Sequence, residues 1–174
     1  MNATARRIRR MTAAALIAAL YVLFTYLSSL FGLASGVIQL RLSEALAVLA
    51  YFTPAAIPGL AIGCALAGVL TAAMPLDVLF GSLATLLGAL AAYALRRLSP
   101  WLAPLPNILA NTLVIPFVLS YVYLVPDGLP FLFLTVGIGE ILSSGVLGLA
   151  LLFTLRHYAS LLFPFEPPTK SAKP

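Results

Sequence analysis

Five charged side chains lie in or beside long apolar runs: Arg41, Glu44, Asp77, Asp127 and Glu140. A charge near the middle of a bilayer costs roughly 2.5 to 3.5 kcal/mol on insertion scales, so each needs a reason to be there. A carboxylate can accept two adjacent N–H donors or hold an ammonium through a charge-assisted hydrogen bond, and a guanidinium presents a planar fork of donors. Gathered together, such groups suit the recognition of a small polar molecule. Local chemistry offers a second reading for most of them. Arg41 and Glu44 are spaced i, i+3 and could pair to cap a helix with Ser43 as its N-cap. Asp77 follows Pro75 at a helix start, where the dipole favours a carboxylate. Asp127 sits in a Pro126-Asp127-Gly128 turn and reads as a turn residue. Glu140 has no such explanation: Gly137 and Gly139 precede it, Ser143 and Ser144 follow it, and its other neighbours are apolar. It is the acid whose type and place point most directly to function.

Uncharged groups extend the set. Asn107 and Asn111 are spaced i, i+4 and share a helix face, so their amides are placed for a ligand or for an interhelical hydrogen bond. Phe117, Tyr121 and Tyr123 put rings near one end of the same run, as an interfacial aromatic belt or as stacking surfaces. Ala14 and Ala18, and likewise Ala15 and Ala19, stand four apart and allow another helix to approach closely. That helix could belong to this chain or to a partner, and Gly59 and Gly63 allow the same argument.

Other chemistries lack their parts. There is no Gly-x-x-x-x-Gly-Lys loop, and the only lysines are Lys170 and Lys173 near the end, so nucleotide hydrolysis by a P-loop is excluded. His157 is the only histidine and Cys64 the only cysteine. A metal site, a histidine-based intramembrane protease and a disulfide framework are all disfavoured by those counts. No catalytic residue, cofactor or metal is expected. The net charge of +5 comes from basic residues that flank apolar runs, without an aromatic-laced patch, so nucleic acid is not an expected partner.

The elements that must carry these residues are membrane spans. Hydrophobic residues make up 62% of the chain and charged ones 9%, which places it outside the soluble classes. The first run, Met11 to Phe31, has the roughly 20 residues needed to cross hydrocarbon and exceeds the roughly 7 to 15 of a signal-peptide core. A looser segment with Gln39 and Arg41 follows. A short piece, 42–52, stops before Thr53-Pro54 and alone covers only part of the bilayer. Four more runs follow: 54–73, 76–95, 107–125 and 130–155, with Trp101 placed for the interfacial belt.

Counting the short second piece gives an all-α integral membrane protein with six transmembrane helices, the second short or broken. The positive-inside bias tests that count. With Arg6, Arg7, Arg9 and Arg10 inside, even parity puts Arg96, Arg97, Arg156, Lys170 and Lys173 on the same side, so both termini are expected in the cytoplasm. The four carboxylates named above and Arg41 then gather in the outer half. The expected organisation is a basic cytoplasmic N-terminus, 1–10, a single membrane domain, 11–160, and a disordered cytoplasmic tail, 161–174. No sustained internal repeat supports an inverted-repeat carrier.

Several stretches carry a resemblance: Gln39-Leu40-Arg41-Leu42-Ser43-Glu44-Ala45-Leu46, Phe52-Thr53-Pro54-Ala55-Ala56-Ile57-Pro58-Gly59-Leu60, Pro75-Leu76-Asp77, Phe80-Gly81-Ser82-Leu83-Ala84-Thr85-Leu86, Trp101-Leu102-Ala103-Pro104-Leu105-Pro106 and Val136-Gly137-Ile138-Gly139-Glu140. Together they resemble the QueT family over about residues 8 to 160. Its members are substrate-specific S components of energy-coupling factor importers, a class of vitamin and micronutrient uptake systems. They are assigned to queuosine precursors such as aminomethyl-deazaguanine. The resemblance implies a six-helix unit in the cell membrane that binds ligand near the outer face and closes its first loop over it. It also implies docking on a transmembrane coupling subunit driven by two ATPases, with the Ala14, Ala15, Ala18 and Ala19 surface matching the Ala-x-x-x-Ala docking face. For a deazaguanine, Glu140 would accept the pyrimidinone N–H donors, and Glu44 or Asp77 would take an exocyclic ammonium. Arg41, Gln39 and Asn111 would complete the polar set, and Tyr121 or Phe80 would stack on the base. The alternatives are an S component for another base or vitamin, or a structural or regulatory membrane subunit that transports nothing.

Overall fold

Each apolar run becomes a helix, and proline marks where several of them begin. A computed structural model describes residues 3–32 and 40–162, with side chains to residue 158. Helix α1 is Ala3–Leu30, α2 Ala56–Leu70, α3 Pro75–Leu95, α4 Leu105–Tyr121, α5 Leu129–Glu140 and α6 Gly148–Leu162. A 3-10 helix, Leu42–Tyr51, lies between α1 and α2, and a short 3-10 turn, Pro100–Leu102, precedes α4. A π-helical stretch, Ile141–Leu147, joins α5 to α6. Among the described residues there is no strand. Pro75, Pro106 and Pro130 sit in the first turns of α3, α4 and α5, where the missing N–H would have had no helical partner.

Four helical stretches are long and apolar enough to cross a membrane: Ala3–Leu30, Pro75–Leu95, Pro100–Tyr121 and Leu129–Tyr158. The 3-10 helix and α2 are apolar but shorter. Leu16, Leu87, Leu113 and Leu134 each leave 60% or more of their surface exposed. Apolar exposure on this scale is rare on a soluble monomer and normal against lipid. The chain is a multi-pass membrane protein.

Helix directions follow from close contacts. Gly59 lies against Ala14, and Gly63 against Ala18 and Tyr21, so α1 and α2 run parallel, with the 3-10 helix as the return leg. Gly68 meets Val78 and Gly88 meets Asn107, which reverses direction from α2 to α3 and from α3 to α4. The Trp101 and Phe153 rings, 4.8 Å apart, bring α6 back to the start of α4. The chain therefore passes back and forth along the bundle. Arg6 to Arg10, Arg96, Arg97 and Arg156 come to one end, and Arg41, Asp77 and Asp127 to the other.

The short second leg is not an α-helix. At about 2.0 Å per residue, ten 3-10 residues reach ~20 Å, against ~15 Å for the same residues in an α-helix. Its hydrogen-bond geometry is poorer, and runs longer than about four residues are uncommon, so surrounding packing must hold this one. Every residue from Ser43 to Tyr51 is buried, among α1, α3, α6 and the π-helical stretch. Tyr51, Leu60, Val48 and Leu152, all nearly or wholly buried, form the centre of the core.

Three boundaries differ from expectation. Helix α1 begins at Ala3, so the basic segment 1–10 is largely its first turns; arginine and alanine are good helix formers although the hydropathy signal starts at Met11. Ser43 is not the N-cap. That position is Arg41, which makes no side-chain cap bond, and Ser43 lies inside the helix with its hydroxyl buried and without a partner. The Leu42 N–H is instead accepted by Ser28 Oγ of α1, at 2.9 Å. Leu161 and Leu162 belong to α6, and the rest of the expected tail, 163–174, lies outside the described residues.

Candidate ligand-binding site

The five charges expected together divide into two layers and an exposed turn. The deeper layer centres on Glu44, one turn into the 3-10 helix and 2% exposed. Tyr21 Oη of α1 donates to Glu44 Oε1. Asn107 and Asn111 Nδ2 of α4 donate to Oε2 at 2.9 and 3.2 Å, and Asn107 also reaches Ser144 Oγ at 3.4 Å. Both members of the i, i+4 asparagine pair thus donate to one internal carboxylate. Such a group survives burial only when donors replace its water, and here three donors do so.

Glu140, at the end of α5, is 7% exposed. Its Oε2 is buried with no hydrogen-bond partner, and so is Asn107 Oδ1. The π-helical stretch begins immediately after Glu140, and its Ser143 hydroxyl donates back to the Gly139 carbonyl. Single π turns inside α-helices are frequent at functional sites.

The second layer is a cavity of about 350 Å³ at the bundle end opposite the arginine clusters. Arg41 at the start of the 3-10 helix and Asp77 in the first turn of α3 form its polar walls, with Ser28, Thr71 and Tyr123. Tyr123 Oη donates to Asp77 Oδ2 at 2.8 Å and accepts the Met74 N–H at 3.2 Å. Burial pushes the Tyr123 phenol above its ordinary value and the Asp77 carboxylate adds to the shift, so the phenol remains a donor at neutral pH. Tyr21 lines this cavity and bonds Glu44, so it belongs to both layers. A volume of this size fits the lower range of small-molecule sites.

A larger recess lies elsewhere. A groove of about 1080 Å³ runs along α1 and α2, lined by Ala14, Ala15, Ala18 and Ala19 with Arg6 and Arg10 toward its end. The alanines do not all do the same thing. Ala14 and Ala18 face α2 so closely that a Cβ on Gly59 would stand 2.7 Å from the Ala14 carbonyl oxygen, and one on Gly63 would stand 3.0 Å from Ala18 Cα. Ala15 and Ala19 are exposed.

The remaining expected site residues lie apart. Phe80 and Tyr121 are 43% and 69% exposed and are not among the cavity walls; Tyr121 stacks on Phe117 at 6.4 Å. Asp127 is exposed in its turn. Gln39 lies outside the described residues. Sequence reasoning missed Tyr21 and Ser28, although a hydroxyl in the middle of the first span, at Tyr21, and another near its end, at Ser28, were visible signals.

A family model described as QueT transporter matches residues 11–157, a stretch that includes both layers and most of the α1 groove. Comparisons with curated proteins and with solved structures return no match.

Proposed function

The chain belongs to the QueT transporter family, and on that premise we propose that it is the substrate-binding S component of an energy-coupling factor importer for queuosine precursors. Aminomethyl-deazaguanine is the first candidate ligand. The observation that carries this reading is the cavity walled by Arg41 and Asp77 at the end of the bundle away from the arginine clusters. With those clusters in the cytoplasm by the positive-inside bias, all six legs cross the membrane and the cavity opens outward. The 3-10 helix spans its leg by being enclosed in the bundle, away from lipid, whereas α2 keeps Ile62, Leu66, Val69 and Leu70 on an exposed apolar side.

Glu140 takes the pyrimidinone N–H pair, a role supported by its partnerless buried oxygen. Glu44 or Asp77 takes the exocyclic ammonium, with Arg41, Asn111 and Gln39 as further polar contacts. Phe80 or Tyr121 stacks on the base after turning inward. Ala15 and Ala19, with Ala14 and Ala18 behind them, form the docking face for the coupling subunit and its two ATPases in the cell membrane, and the chain itself performs no catalysis.

The test is the melting temperature of the purified chain titrated with aminomethyl-deazaguanine, its cyano counterpart, queuine and guanine, with riboflavin and biotin as controls. A ligand at 100 times its Kd adds about 2.7 kcal/mol of stability, so a deazaguanine-specific, concentration-dependent rise is expected. A rise with another base or vitamin alone moves the assignment to that ligand. No rise in folded protein favours a scaffold subunit, a reading consistent with the internal satisfaction of Glu44. Glu140→Gln should insert normally and bind much more weakly; unchanged affinity would remove Glu140 from the site.

A further inference from the structure

We infer that Asp77, held in place by Tyr123, is the subsite for a cationic amine on the ligand, and that Tyr123 is a positioning residue that sets the preference for amine-bearing over uncharged ligands. The inference rests on reading the cavity as a deazaguanine site and decides between the two acids that could hold the ammonium.

Glu44 is already committed. Its Oε1 accepts from Tyr21 and its Oε2 from both asparagines, so an ammonium would have to displace a donor deep in the core. Asp77 differs on each point. It lines the cavity, and Tyr123 occupies one oxygen, Oδ2. A Cβ built on Gly81, one turn further along α3, would stand 3.8 Å from Asp77 Oδ1 and 3.9 Å from Cys64 Sγ, with nothing closer. The bare glycine therefore leaves room beside the second oxygen.

The Tyr123 hydroxyl accepts the Met74 N–H and so sends its own proton to Asp77. That fixes the carboxylate before ligand arrives and removes part of the ordering cost of binding. Arg41 in the same wall repels a cation and attracts a carbonyl edge, so a ligand with both groups has one favoured orientation.

The backbone supplies an independent sign. Helices α2 and α4 end in left-handed residues that are not glycine, Ala72 at φ 56° and Leu124 at φ 52°. Ala72 lines the cavity and Leu124 directly follows Tyr123. Glycine is the usual residue at such helix ends, and strained backbone of this kind gathers at ligand clamps. Here two such turns are joined by the Tyr123 contacts to Met74 and Asp77.

The experiment compares aminomethyl-deazaguanine with cyano-deazaguanine, which share a ring and differ in ammonium against nitrile. Affinities are measured by calorimetry on the full chain, on Asp77→Asn and on Tyr123→Phe, with the ligand-free melting temperature of each. Wild type should prefer the amine. Asp77→Asn should weaken the amine about 30-fold and the nitrile less than about 3-fold. Tyr123→Phe should weaken the amine about 5-fold and leave the nitrile unchanged. Gly81→Ala, which has ordinary contact distances in the ligand-free fold, should weaken both. Equal losses of both ligands in Asp77→Asn and Tyr123→Phe, or an undiminished amine affinity, would overturn the subsite while leaving the deazaguanine reading intact. Wild type that binds neither ligand would overturn that reading and the subsite with it.

Discussion

Two recesses of this protein differ in size and in chemistry: the larger is lined by alanines with arginines toward one end, and the smaller is walled by both a guanidinium and a carboxylate. The groove on α1 and α2 is about three times the volume of the cavity at Arg41 and Asp77. Beyond Arg6, Arg7 and Arg10 at one end, its lining is alanine and other apolar side chains, which offer contact area and no orienting hydrogen bond. The cavity brings a guanidinium, a carboxylate and a phenol from three separate elements to one place. In lipid, close contact is what drives helices together, so a long small-residue groove suits a helix. A small polar recess suits a solute that must be told apart from others. Volume alone would have ranked them the wrong way round for ligand recognition.

The comparison can be broken or sharpened by substitution. The largest effect is expected beneath the cavity: Glu44→Ala strands the Tyr21, Asn107 and Asn111 donors in the core and should cost about 3 to 5 kcal/mol. Denaturation of the detergent-solubilised protein measures it, and a small loss would mean that the deep layer is plastic. Next is the seam behind the groove. Gly63→Val places a branched side chain where even a Cβ would stand 2.8 Å from Tyr21 Cβ, and overpacking should cost about 2 to 3 kcal/mol in the same assay. At the cavity rim, Leu124→Gly should relieve left-handed strain against the greater freedom of glycine in the unfolded chain, a net gain of about 0.5 kcal/mol. Smallest is the groove surface. Ala15→Phe should change stability by less than about 0.5 kcal/mol while blocking co-purification with a coupling subunit; intact assembly would show that the groove is not the docking face.

Much of the fold was legible because its punctuation is chemical. Pro75, Pro106 and Pro130 mark helix starts, and the apolar runs between the basic clusters become helices. The Asn107 and Asn111 pair was legible as one face, though not as two donors to a single carboxylate. What failed to register was geometry that composition does not encode. Leu42 to Tyr51 has ordinary helical residues and adopts the 3-10 form because of what surrounds it, and the π turn after Glu140 has no sequence signature of its own. The charges were expected in one pocket because topology assigns a residue to a half of the bilayer and not to a depth. Glu44, one turn along the 3-10 helix from Arg41, is thereby in a different layer.

The enclosed 3-10 helix also bears on how such chains diverge. Leucines such as Leu16, Leu87, Leu113 and Leu134 face outward and can be exchanged for other apolar residues with little consequence. The stretch from Ser43 to Tyr51 has no outward face at all. Drift should be slowest there, and distant kin of this protein should be easiest to recognise by that nine-residue fingerprint when the rest of their spans have become generic.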